Sequence, residues 1–268
     1  MSQIQRSASA VEFNTERTGT GTKEWSDASV NIGFGCSHGC LYCYAMDMMR
    51  RFNKIKTPED WTVETVNLKK SKKGYQLREG VIMFPTTHDI TPYYLPYAVE
   101  SLKKMLIPGN KVLIVSKPHL DCIKTLCDEL ANYKSQILFR FTIGTIDPRA
   151  SRFWEPGAPA PAERIESLKH ACKAGYSTSV SMEPMLGGVN DALMTFLSVL
   201  PHITETIWIG KMNQPRQRVG MKVPETAAAV RRIEELQDDN EIMRLVKTLH
   251  RQPKVAWKDS IKKVIAKN

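Results

Sequence analysis

The sequence predicts an α/β fold whose core is a barrel-like sheet of parallel strands. Six short, mostly apolar segments lie between residues 28 and 209, and stretches with the pattern of helices separate them. Strands that alternate with helices form parallel β/α units, because the helix returns the chain to the same end of the sheet. Polar side chains directly follow most of these segments, as expected where a functional site lies at the carboxyl ends of barrel strands.

The clearest strands are uninterrupted runs of apolar residues. The run Val81–Phe84 ends at Pro85, and residues 111–116 and 137–143 have the same branched, apolar character. Runs of this length that are bounded by polar residues or proline are typical of buried strands. The predicted strands are residues 28–33, 81–84, 111–116, 137–143, 177–182 and 205–209.

Helices are predicted between the strands from amphipathic spacing and from signals at their ends. The helix at 97–106 stops before Pro108, and the helix at 161–174 begins with Pro161 and ends at Gly175. Proline favours the first turn of a helix, and glycine favours the position after its last turn. The predicted helices are residues 40–52, 97–106, 119–132, 161–174 and 192–200, with residues 226–249 as one helix or two.

Composition limits the class of protein. The chain has 268 residues, of which 42% are hydrophobic, so it can bury a substantial core. Its net charge of +10 favours a polyanionic partner such as nucleic acid, although a basic enzyme with a solvated surface has the same balance. No apolar run approaches the length of a membrane span, and the first thirty residues lack the apolar core of a signal peptide. We therefore expect a cytoplasmic protein without a membrane partner.

The chain divides into three predicted parts. Residues 1–27 are polar and rich in Ser, Thr and Gly, and we interpret them as a flexible N-terminal arm. Residues 28–212 hold the predicted strands and form the core, and residues 213–268 form a basic helical extension packed on the barrel. In this extension, Trp257 either stacks on a nucleic-acid base or forms with Val255 a strand-like segment that packs under the barrel.

Three cysteines, Cys36, Cys40 and Cys43, fall within eight residues of a loop that also contains three glycines. Closely spaced cysteines of this kind bind iron–sulfur clusters, normally four of them, so three ligands would leave one iron of a 4Fe–4S cluster open for chemistry. A zinc site that adds His38 or a distant residue is the alternative. However, His38 lies between two of the cysteines, which makes its reach to the same ion awkward. A disulfide framework does not suit three clustered thiols.

The loop matches the Cys-x3-Cys-x2-Cys motif of radical S-adenosylmethionine (SAM) enzymes, with an aromatic residue, Tyr42, directly before the last cysteine. On this motif the chain resembles that superfamily. The resemblance implies a partial (β/α)6 barrel of the TIM type, a 4Fe–4S cluster held by the three cysteines, and SAM bound at the open iron. It further implies reductive cleavage of SAM to a 5′-deoxyadenosyl radical that abstracts hydrogen from the substrate. The electrons would come from a donor such as flavodoxin or ferredoxin.

Further stretches resemble the branch of the superfamily that is related to spore photoproduct lyase, the DNA-repair photolyase-like proteins. These stretches are residues 31–45, the pair Ser116-Lys117 and residues 155–161 with the helix that follows. One position departs from this branch. Where the lyase has a cysteine that returns a hydrogen atom to the product radical, this chain has Thr86. A threonine hydroxyl is a poor hydrogen-atom donor, which argues against repair of thymine dimers.

The resemblance implies, position by position, a set of residues that contact SAM. Tyr42 would contact the adenine, and Lys117, which ends a strand, would bind the carboxylate, a pairing that charge also favours. His88 occupies the place of a SAM-contacting serine, and Thr142 occupies that of another hydroxyl residue. The backbone at Met182 would lie beside the adenine or the ribose. No residue is assigned to a catalytic step.

Glu183 has two interpretations of equal weight. It either contacts the cofactor or forms an ion pair at the barrel rim with Lys117 or Arg140. Both interpretations place it at the carboxyl end of the strand predicted at 177–182.

Together these observations predict a radical SAM enzyme that acts on a nucleic acid or a nucleotide. The first alternative keeps the chemistry but takes a protein, a peptide or a small metabolite as substrate. The second alternative is a non-catalytic iron–sulfur or zinc module that binds nucleic acid.

Overall fold

The computed structural model describes Phe13 and residues 19–267, and the rest of the chain lies outside the described residues. The flexible arm predicted at 1–27 falls mostly on that remainder, so its flexibility stays a prediction. At the described end of the arm, Gly21–Glu24 forms a short 3-10 helix, and Trp25 after it is buried.

Parallel strands form the central sheet. The strands of the described residues are β1 (Ala28–Ser29), β2 (Gly33–Phe34), β3 (Thr65–Val66), β4 (Val81–Phe84), β5 (Lys111–Ser116), β6 (Ile137–Thr142), β7 (Ser177–Met182), β8 (Ile207–Ile209) and β9 (Val255–Trp257). Seven of them form one parallel sheet in the order β1-β4-β5-β6-β7-β8-β9, and β2 pairs with β3 in a separate antiparallel ribbon. The predicted α/β fold with a parallel sheet is confirmed.

The sheet has one strand more than the six predicted. β9 pairs in parallel with β8, with Ala256 opposite Trp208. Trp257 therefore belongs to a strand, as one of its two interpretations held, but this strand extends the sheet and does not pack beneath it. β9 lies beyond residue 212, so the sheet contains strands from both the predicted core and the predicted extension. The division of the chain into these parts stays a prediction.

The first predicted strand divides in the structure into β1 and β2. The Val30 amide still donates to the Met83 carbonyl, continuing the ladder with β4. At Asn31 the chain leaves the sheet, because the Asn31 side chain accepts hydrogen bonds from the amides of Thr86 and Thr87 at 2.7 and 2.9 Å. A side-chain amide that binds backbone in this way competes with the strand ladder. The chain then enters β2, which delivers the cysteine loop.

Most of the helices lie between successive strands. They are α1 (Tyr44–Arg51), α2 (Pro58–Thr62), α3 (Leu68–Ser71), α4 (Leu95–Leu106), α5 (Leu120–Glu129), α6 (Pro148–Trp154), α7 (Pro161–Lys173), α8 (Val189–Val199), α9 (Pro215–Arg218), α10 (Pro224–Leu236), α11 (Asp239–Leu249) and α12 (Asp259–Ile265). The helix predicted at 40–52 begins only at Tyr44, because the Cys43 sulfur caps it by accepting from the Met46 amide at 3.4 Å. Residues 226–249 belong to two helices, the second capped by Asp238. None of the described helices is both long enough and apolar enough to span a membrane.

Apolar layers cover both faces of the sheet. Side chains alternate between the faces along a strand, so in β4 Ile82 and Phe84 pack against the helices. Val81 and Met83 point to the inner face, where they pack in one cluster with Trp25. The N-terminal segment thus closes the inner face of the sheet.

The register brings the carboxyl ends of neighbouring strands together. Ser116 lies opposite Phe141, and Thr142 lies opposite Ser181. The loops that follow β4 to β8 therefore open along the same edge of the sheet, where a parallel fold of this kind carries its site.

Candidate functional site

A cavity of about 530 Å³ opens at the carboxyl ends of the strands. The cysteine loop, the segments that follow β4, β5, β7 and β8, and residues 20–25 form its walls. Predicted site residues from distant parts of the sequence line this one space: Cys36, Cys40, Tyr42, Cys43, His88, Lys117, Thr142 and Glu183.

The first half of the cysteine loop is fixed by close backbone contacts. The Cys36 amide donates to the Trp61 carbonyl at 2.8 Å, and the Tyr94 hydroxyl donates to the Gly35 carbonyl at 3.1 Å. Gly35 has a φ of +88°, and a Cβ at this position would lie 2.1 Å from the carbonyl oxygen of Val63. Only glycine adopts this turn in so little space. The direction in which Cys36 enters the cavity therefore depends on Gly35.

The second half of the loop rests on the segment after α6. The Leu41 amide donates to the Trp154 carbonyl, and the Gly157 amide donates to the His38 carbonyl, both at 2.9 Å. A Cβ on Gly157 would lie 2.2 Å from the Ser37 carbonyl oxygen, so the two segments approach this closely only with glycine there. This segment belongs to the stretch that resembles the lyase-related branch, and in the structure it supports the cysteine loop.

The three loop cysteines carry free thiols that face the cavity. Burial raises the pKa of all three, that of Cys40 to about 12, although the positive charge of Lys117 opposes the shift at Cys40 and Cys43. Without a metal, all three are therefore neutral thiols near pH 7 and must lose their protons when a metal binds. Soft sulfur donors that converge on one cavity suit an iron–sulfur cluster.

The spacing of the donor atoms favours a cofactor larger than one ion. Among the described residues, Cys36 groups within 4.8 Å with His38 and Asp89, and this group includes neither Cys40 nor Cys43. The sulfurs on a single tetrahedral zinc lie only about 3.8 Å apart, given a Zn–S length of roughly 2.3 Å. The three cysteines therefore fit a cluster that spans them better than they fit one zinc ion.

His38 approaches Cys36 more closely than we expected from its place between two cysteines. Its Nδ1 lies 2.8 Å from Asp89 Oδ2, and the Cys36 sulfur lies 3.8 Å from the same oxygen. His38 therefore lies close to Cys36, whereas its awkward reach to an ion shared by all three cysteines stays a prediction. However, His38 Nε2 lies 3.0 Å from Nε2 of His119, so both ring nitrogens are engaged. His38 thus supports the loop through its contacts with Asp89 and His119.

Asp89 joins the cysteine loop to the end of β5. Its Oδ1 accepts hydrogen bonds from Ser116 Oγ at 3.0 Å and from the Lys117 amide at 2.7 Å, and Lys117 Nζ lies 3.6 Å from Oδ2. Burial would raise the pKa of Asp89, but Lys117 and His38 hold that pKa well below its ordinary value. Burial would likewise lower the pKa of Lys117, but Asp89 raises it well above its ordinary value. Lys117 is therefore a charged group, fixed in position, at the cavity wall.

Tyr42 is held by a buried ion pair. Its hydroxyl donates to Glu155, and Glu155 Oε2 lies 2.5 Å from Arg164 Nη2, with these two side chains 0% and 1% exposed. Arg164 also donates to the Pro159 carbonyl at 2.7 Å. Lys117 Nζ lies 5.8 Å from the centre of the Tyr42 ring. The ring thus forms a fixed apolar wall beside a cation.

Glu183 pairs with a residue that neither interpretation named. Its Oε2 lies 3.2 Å from Lys258 Nζ, which also lies 2.9 Å from Glu24 Oε1. Lys117 pairs with Asp89 instead, and the alternative pair with Arg140 stays a prediction. Burial raises the pKa of Glu183, and Lys258 opposes that shift. Lys258 thereby connects the C-terminal extension, the N-terminal segment and the cavity wall.

The remaining predicted SAM residues differ in how they meet the cavity. His88 and Thr142 line it. The His88 ring packs against Tyr94 with 4.3 Å between ring centres, and burial lowers its pKa, so it is neutral near pH 7. The Met182 side chain is buried in the core between the sheet and the helices, and its carbonyl accepts from the Gly210 amide at 3.2 Å. Met182 is not among the residues that line the cavity, and contact with SAM stays a prediction for it as for His88 and Thr142.

Some residues of the cavity and its support received no role from the sequence: Lys23, Glu24, Asp89, Arg218 and Lys258. Asp89 carried a usable signal, because an acid that directly follows a buried parallel strand lies where such folds place site residues. No sequence signal pointed to Lys258, since it reaches the cavity only through β9, a strand at the far edge of the sheet.

Comparisons with known proteins agree with this geometry. The family model of the radical SAM superfamily matches residues 30–198, which is more than half of the chain and includes the cysteine loop. The uncharacterized protein ORF301 of Acidianus two-tailed virus is 29% identical over 182 residues, which cover 63% of this chain and 60% of the relative. The uncharacterized protein MJ0683 of Methanocaldococcus jannaschii is 24% identical over 164 residues, which cover 60% and 61% of the two chains. This chain thus spans about three fifths of the length of these relatives.

Solved structures share the fold at low sequence identity. A spore photoproduct lyase variant with bound SAM and dinucleoside spore photoproduct has a TM-score of 0.55 at 14% identity, covering 85% of this chain and 75% of the lyase. SuiB of Streptococcus suis bound to the precursor peptide SuiA has a TM-score of 0.55 at 12% identity, covering 90% of this chain and 50% of SuiB. The likeness confirms the fold of the radical SAM partial barrel. Because the family model covers more than half of the chain, the chain belongs to the radical SAM superfamily.

Proposed function

We propose that the enzyme holds a 4Fe–4S cluster through Cys36, Cys40 and Cys43, binds SAM beside it, and acts on a nucleic acid or a nucleotide. The observation that supports the cofactor assignment is that the three thiols and the charged Lys117 line the same cavity. When bound, the cluster and SAM supply a 5′-deoxyadenosyl radical by reductive cleavage of SAM, chemistry that no side chain provides. A small electron-transfer protein such as flavodoxin or ferredoxin would be the electron donor.

Lys117 binds the carboxylate of SAM. Its side chain is 13% exposed, and its ammonium lies 3.6 Å from Asp89, which keeps it charged and limits its rotation. A charge-assisted hydrogen bond to a second carboxylate is strong at such a site, because solvent screens it little. Asp89 is the positioning residue in this arrangement.

Tyr42 forms the apolar wall against which the adenine packs. The buried pair of Glu155 and Arg164 fixes the ring, so no ordering of this wall is needed when SAM binds. His88, Thr142 and the backbone at Met182 are the further SAM contacts in this proposal. Glu183, held by Lys258 and lining the cavity, offers a carboxylate to a polar group of the ligand. No side chain is assigned to hydrogen-atom transfer.

The nucleic-acid part of the proposal is supported by charge and by the lyase-like fold. The chain carries a net charge of +10, which favours a polyanionic substrate. A lyase structure with the same fold holds a dinucleoside lesion. Repair of that lesion is not proposed, because Thr86 lines the cavity where the branch has a cysteine, and its hydroxyl accepts a hydrogen bond from Asn31 at 2.7 Å. A different hydrogen abstraction on a nucleotide is therefore the proposal.

A peptide is the second candidate substrate. SuiB, bound to its precursor peptide, resembles this chain at the same TM-score as the lyase does. The fold alone therefore does not separate the two substrate classes, and the charge of this chain favours nucleic acid.

The test is the yield of 5′-deoxyadenosine from the anaerobically reconstituted, dithionite-reduced enzyme with SAM. The yield is measured with single-stranded DNA, with RNA, with a mixed peptide library and without substrate, and Cys40→Ser serves as the blank. We expect a several-fold increase with one of the nucleic acids, because a bound substrate consumes the radical. An increase with the peptides alone would transfer the proposal to the peptide candidate. No product above the blank under any condition would overturn the cofactor assignment itself.

A further inference from the structure

The walls of the cavity carry an excess of positive charge. Its walls contain four basic and two acidic side chains: Lys23, Lys117, Lys211 and Arg218 against Asp89 and Glu183. These residues come from the N-terminal segment, from the ends of β4, β5 and β7, and from the segment after β8. The excess is therefore assembled by the fold and does not follow from one basic stretch of sequence.

Both acidic side chains are already engaged. Asp89 binds His38 at 2.8 Å and Lys117 at 3.6 Å. Glu183 lies 3.2 Å from Lys258. Arg218 also attracts the Glu183 carboxylate, but the two side chains do not form an ion pair within the described part of the chain.

Two of the four cations remain without an acidic partner. Lys117 is paired with Asp89, and Lys211 Nζ lies 3.5 Å from Asp239 Oδ1. Lys23 and Arg218 line the cavity and form no ion pair within the described part of the chain. A pair of uncompensated cations beside a cavity attracts an anion.

The structure holds the backbone at Arg218 in place while leaving its guanidinium unpaired. Arg218 is the last residue of α9, the next residue, Val219, is buried, and Arg50 Nη2 donates to the Arg218 carbonyl at 3.5 Å. Burial raises the pKa of both Tyr44 and Glu183, and the charge of Arg218 opposes that shift in both. Its guanidinium therefore acts on two walls of the cavity, the start of α1 and the end of β7.

Lys23 is held from the other side. It is exposed, but the next two residues, Glu24 and Trp25, are buried. Glu24 Oε1 lies 2.9 Å from Lys258 Nζ, and that ammonium lies 4.1 Å from the centre of the Trp25 ring. The segment that carries Lys23 is thus fixed to the body of the enzyme, so Lys23 stays at the cavity.

We propose that Lys23 and Arg218 form a phosphate subsite, which binds a backbone phosphate of a single-stranded nucleic acid whose target nucleotide enters the cavity. This inference rests on the proposed function. Arginine presents a planar fork that matches a phosphate, and lysine adds a point charge. A cavity of about 530 Å³ is the size of a site for one drug-sized ligand. It does not admit a duplex, so only a nucleotide that has left its stack can approach the reacting end of the cavity.

The test is the salt dependence of binding to a fluorescein-labelled single-stranded deoxythymidine decamer. Fluorescence anisotropy is measured on the cluster-loaded enzyme with SAM, for the wild type, Lys23→Ala and Arg218→Ala. Each substitution is expected to weaken binding about tenfold, the factor for loss of one charge-assisted hydrogen bond. Each should also reduce the slope of log K against log salt by about 0.7, the value for one phosphate contact on a single strand.

The matched control is Arg216→Ala, which removes the same charge two residues from Arg218. Arg216 is paired with Glu234 at 2.7 Å and does not line the cavity. We expect it to change the affinity less than twofold. A decamer with neutral methylphosphonate linkages loses the partner of both cations, so it should bind the wild type more than tenfold more weakly than the natural decamer does. Arg218→Ala should then weaken binding of the neutral decamer little further. Iron content and melting temperature are measured for every variant, so that loss of fold is recognised separately.

The outcomes separate this inference from the proposed function. Equal losses in Arg218→Ala and Arg216→Ala would overturn the phosphate subsite, because charge alone would then explain them. If Lys23→Ala and Arg218→Ala lose the same affinity for an acidic decapeptide of equal net charge, the two cations bind carboxylates. That result would also overturn the phosphate subsite. The proposed function is decided independently, by formation of 5′-deoxyadenosine in the wild-type enzyme. Its absence there would remove that function whatever the decamer data gave.

Discussion

The buried ion pair that fixes Tyr42 allows a quantitative prediction for Glu155→Gln. In the folded enzyme, Glu155 Oε2 lies 2.5 Å from Arg164 Nη2, and both side chains are almost fully buried. The substitution keeps the size of the side chain, and the new amide oxygen still accepts from the Tyr42 hydroxyl. What it removes is the negative charge beside a buried guanidinium.

The expected cost follows from that burial. Removing one partner of a buried ion pair costs about 3–5 kcal/mol, because the other charge is left without compensation. Arg164 keeps its hydrogen bonds to the Pro159 carbonyl at 2.7 Å and to Ser151 Oγ at 3.3 Å, so we expect the lower end, about 3 kcal/mol. In a chain of this size, 1 kcal/mol shifts the melting temperature by roughly 2–4 °C. Glu155→Gln should therefore melt about 6–12 °C below the wild type.

The assay is thermal unfolding followed by circular dichroism, with Glu234→Gln as the control. Glu234 binds Arg216 with the same kind of carboxylate–guanidinium geometry at 2.7 Å, but the two side chains are 34% and 65% exposed. An exposed pair contributes about 0–1 kcal/mol, so the control should melt within about 4 °C of the wild type. The same substitution is thus made in two pairs that differ in burial.

A double variant tests the physical reason. Adding Arg164→Met to Glu155→Gln removes the uncompensated guanidinium and should recover more than half of the lost stability. The reasoning is refuted if Glu155→Gln melts no lower than Glu234→Gln. It is also refuted if the double variant is less stable than Glu155→Gln alone, because packing and not charge would then explain the loss.

Three further predictions concern the cofactor site and its support. Cys40→Ser should lose the cluster, measured as iron per chain after anaerobic reconstitution. Cys122→Ser should keep it, since Cys122 is buried on α5 and does not line the cavity. Equal iron in the two variants would contradict the ligand assignment. Lys117→Ala should weaken SAM binding about tenfold or more, because a charge-assisted hydrogen bond to its carboxylate is lost; an unchanged affinity in equilibrium dialysis would mean that Lys117 has another role. Lys258→Met should destabilise the enzyme by about 3 kcal/mol, because it leaves two buried carboxylates unpaired. The exposed Lys263→Met should cost less than about 1 kcal/mol, and similar melting temperatures for these two variants would contradict the role given to Lys258.

The sequence predicted the parallel sheet well because its signals are local. β4, β5 and β6 are mostly apolar runs, and each is followed by a turn and a helical pattern. The split between β1 and β2 could not be predicted from the sequence. It depends on the Asn31 side chain, which binds an amide 55 positions away. β9 could not be predicted either, because it is a strand of only three residues within a basic stretch.

The same division applies to the site. That the three cysteines and Lys117 lie at the cavity could be predicted, because the cysteines form one short motif and Lys117 directly follows an apolar strand. The partner of Glu183 could not be found, since Lys258 lies 75 positions away in the sequence and meets it only through the sheet edge. The role of Asp89 likewise emerges from contacts with the cysteine loop and with β5, which only the folded chain brings together.

The central claim is that Cys36, Cys40 and Cys43 hold a cluster with one iron open to SAM. The measurement that tests it most directly is the electron paramagnetic resonance spectrum of the anaerobically reconstituted, reduced enzyme before and after addition of SAM. We predict a reduced 4Fe–4S signal, about four irons per chain, and a change in that signal when SAM binds the open iron. A single bound metal ion, or a cluster signal that SAM leaves unaltered, would contradict the account.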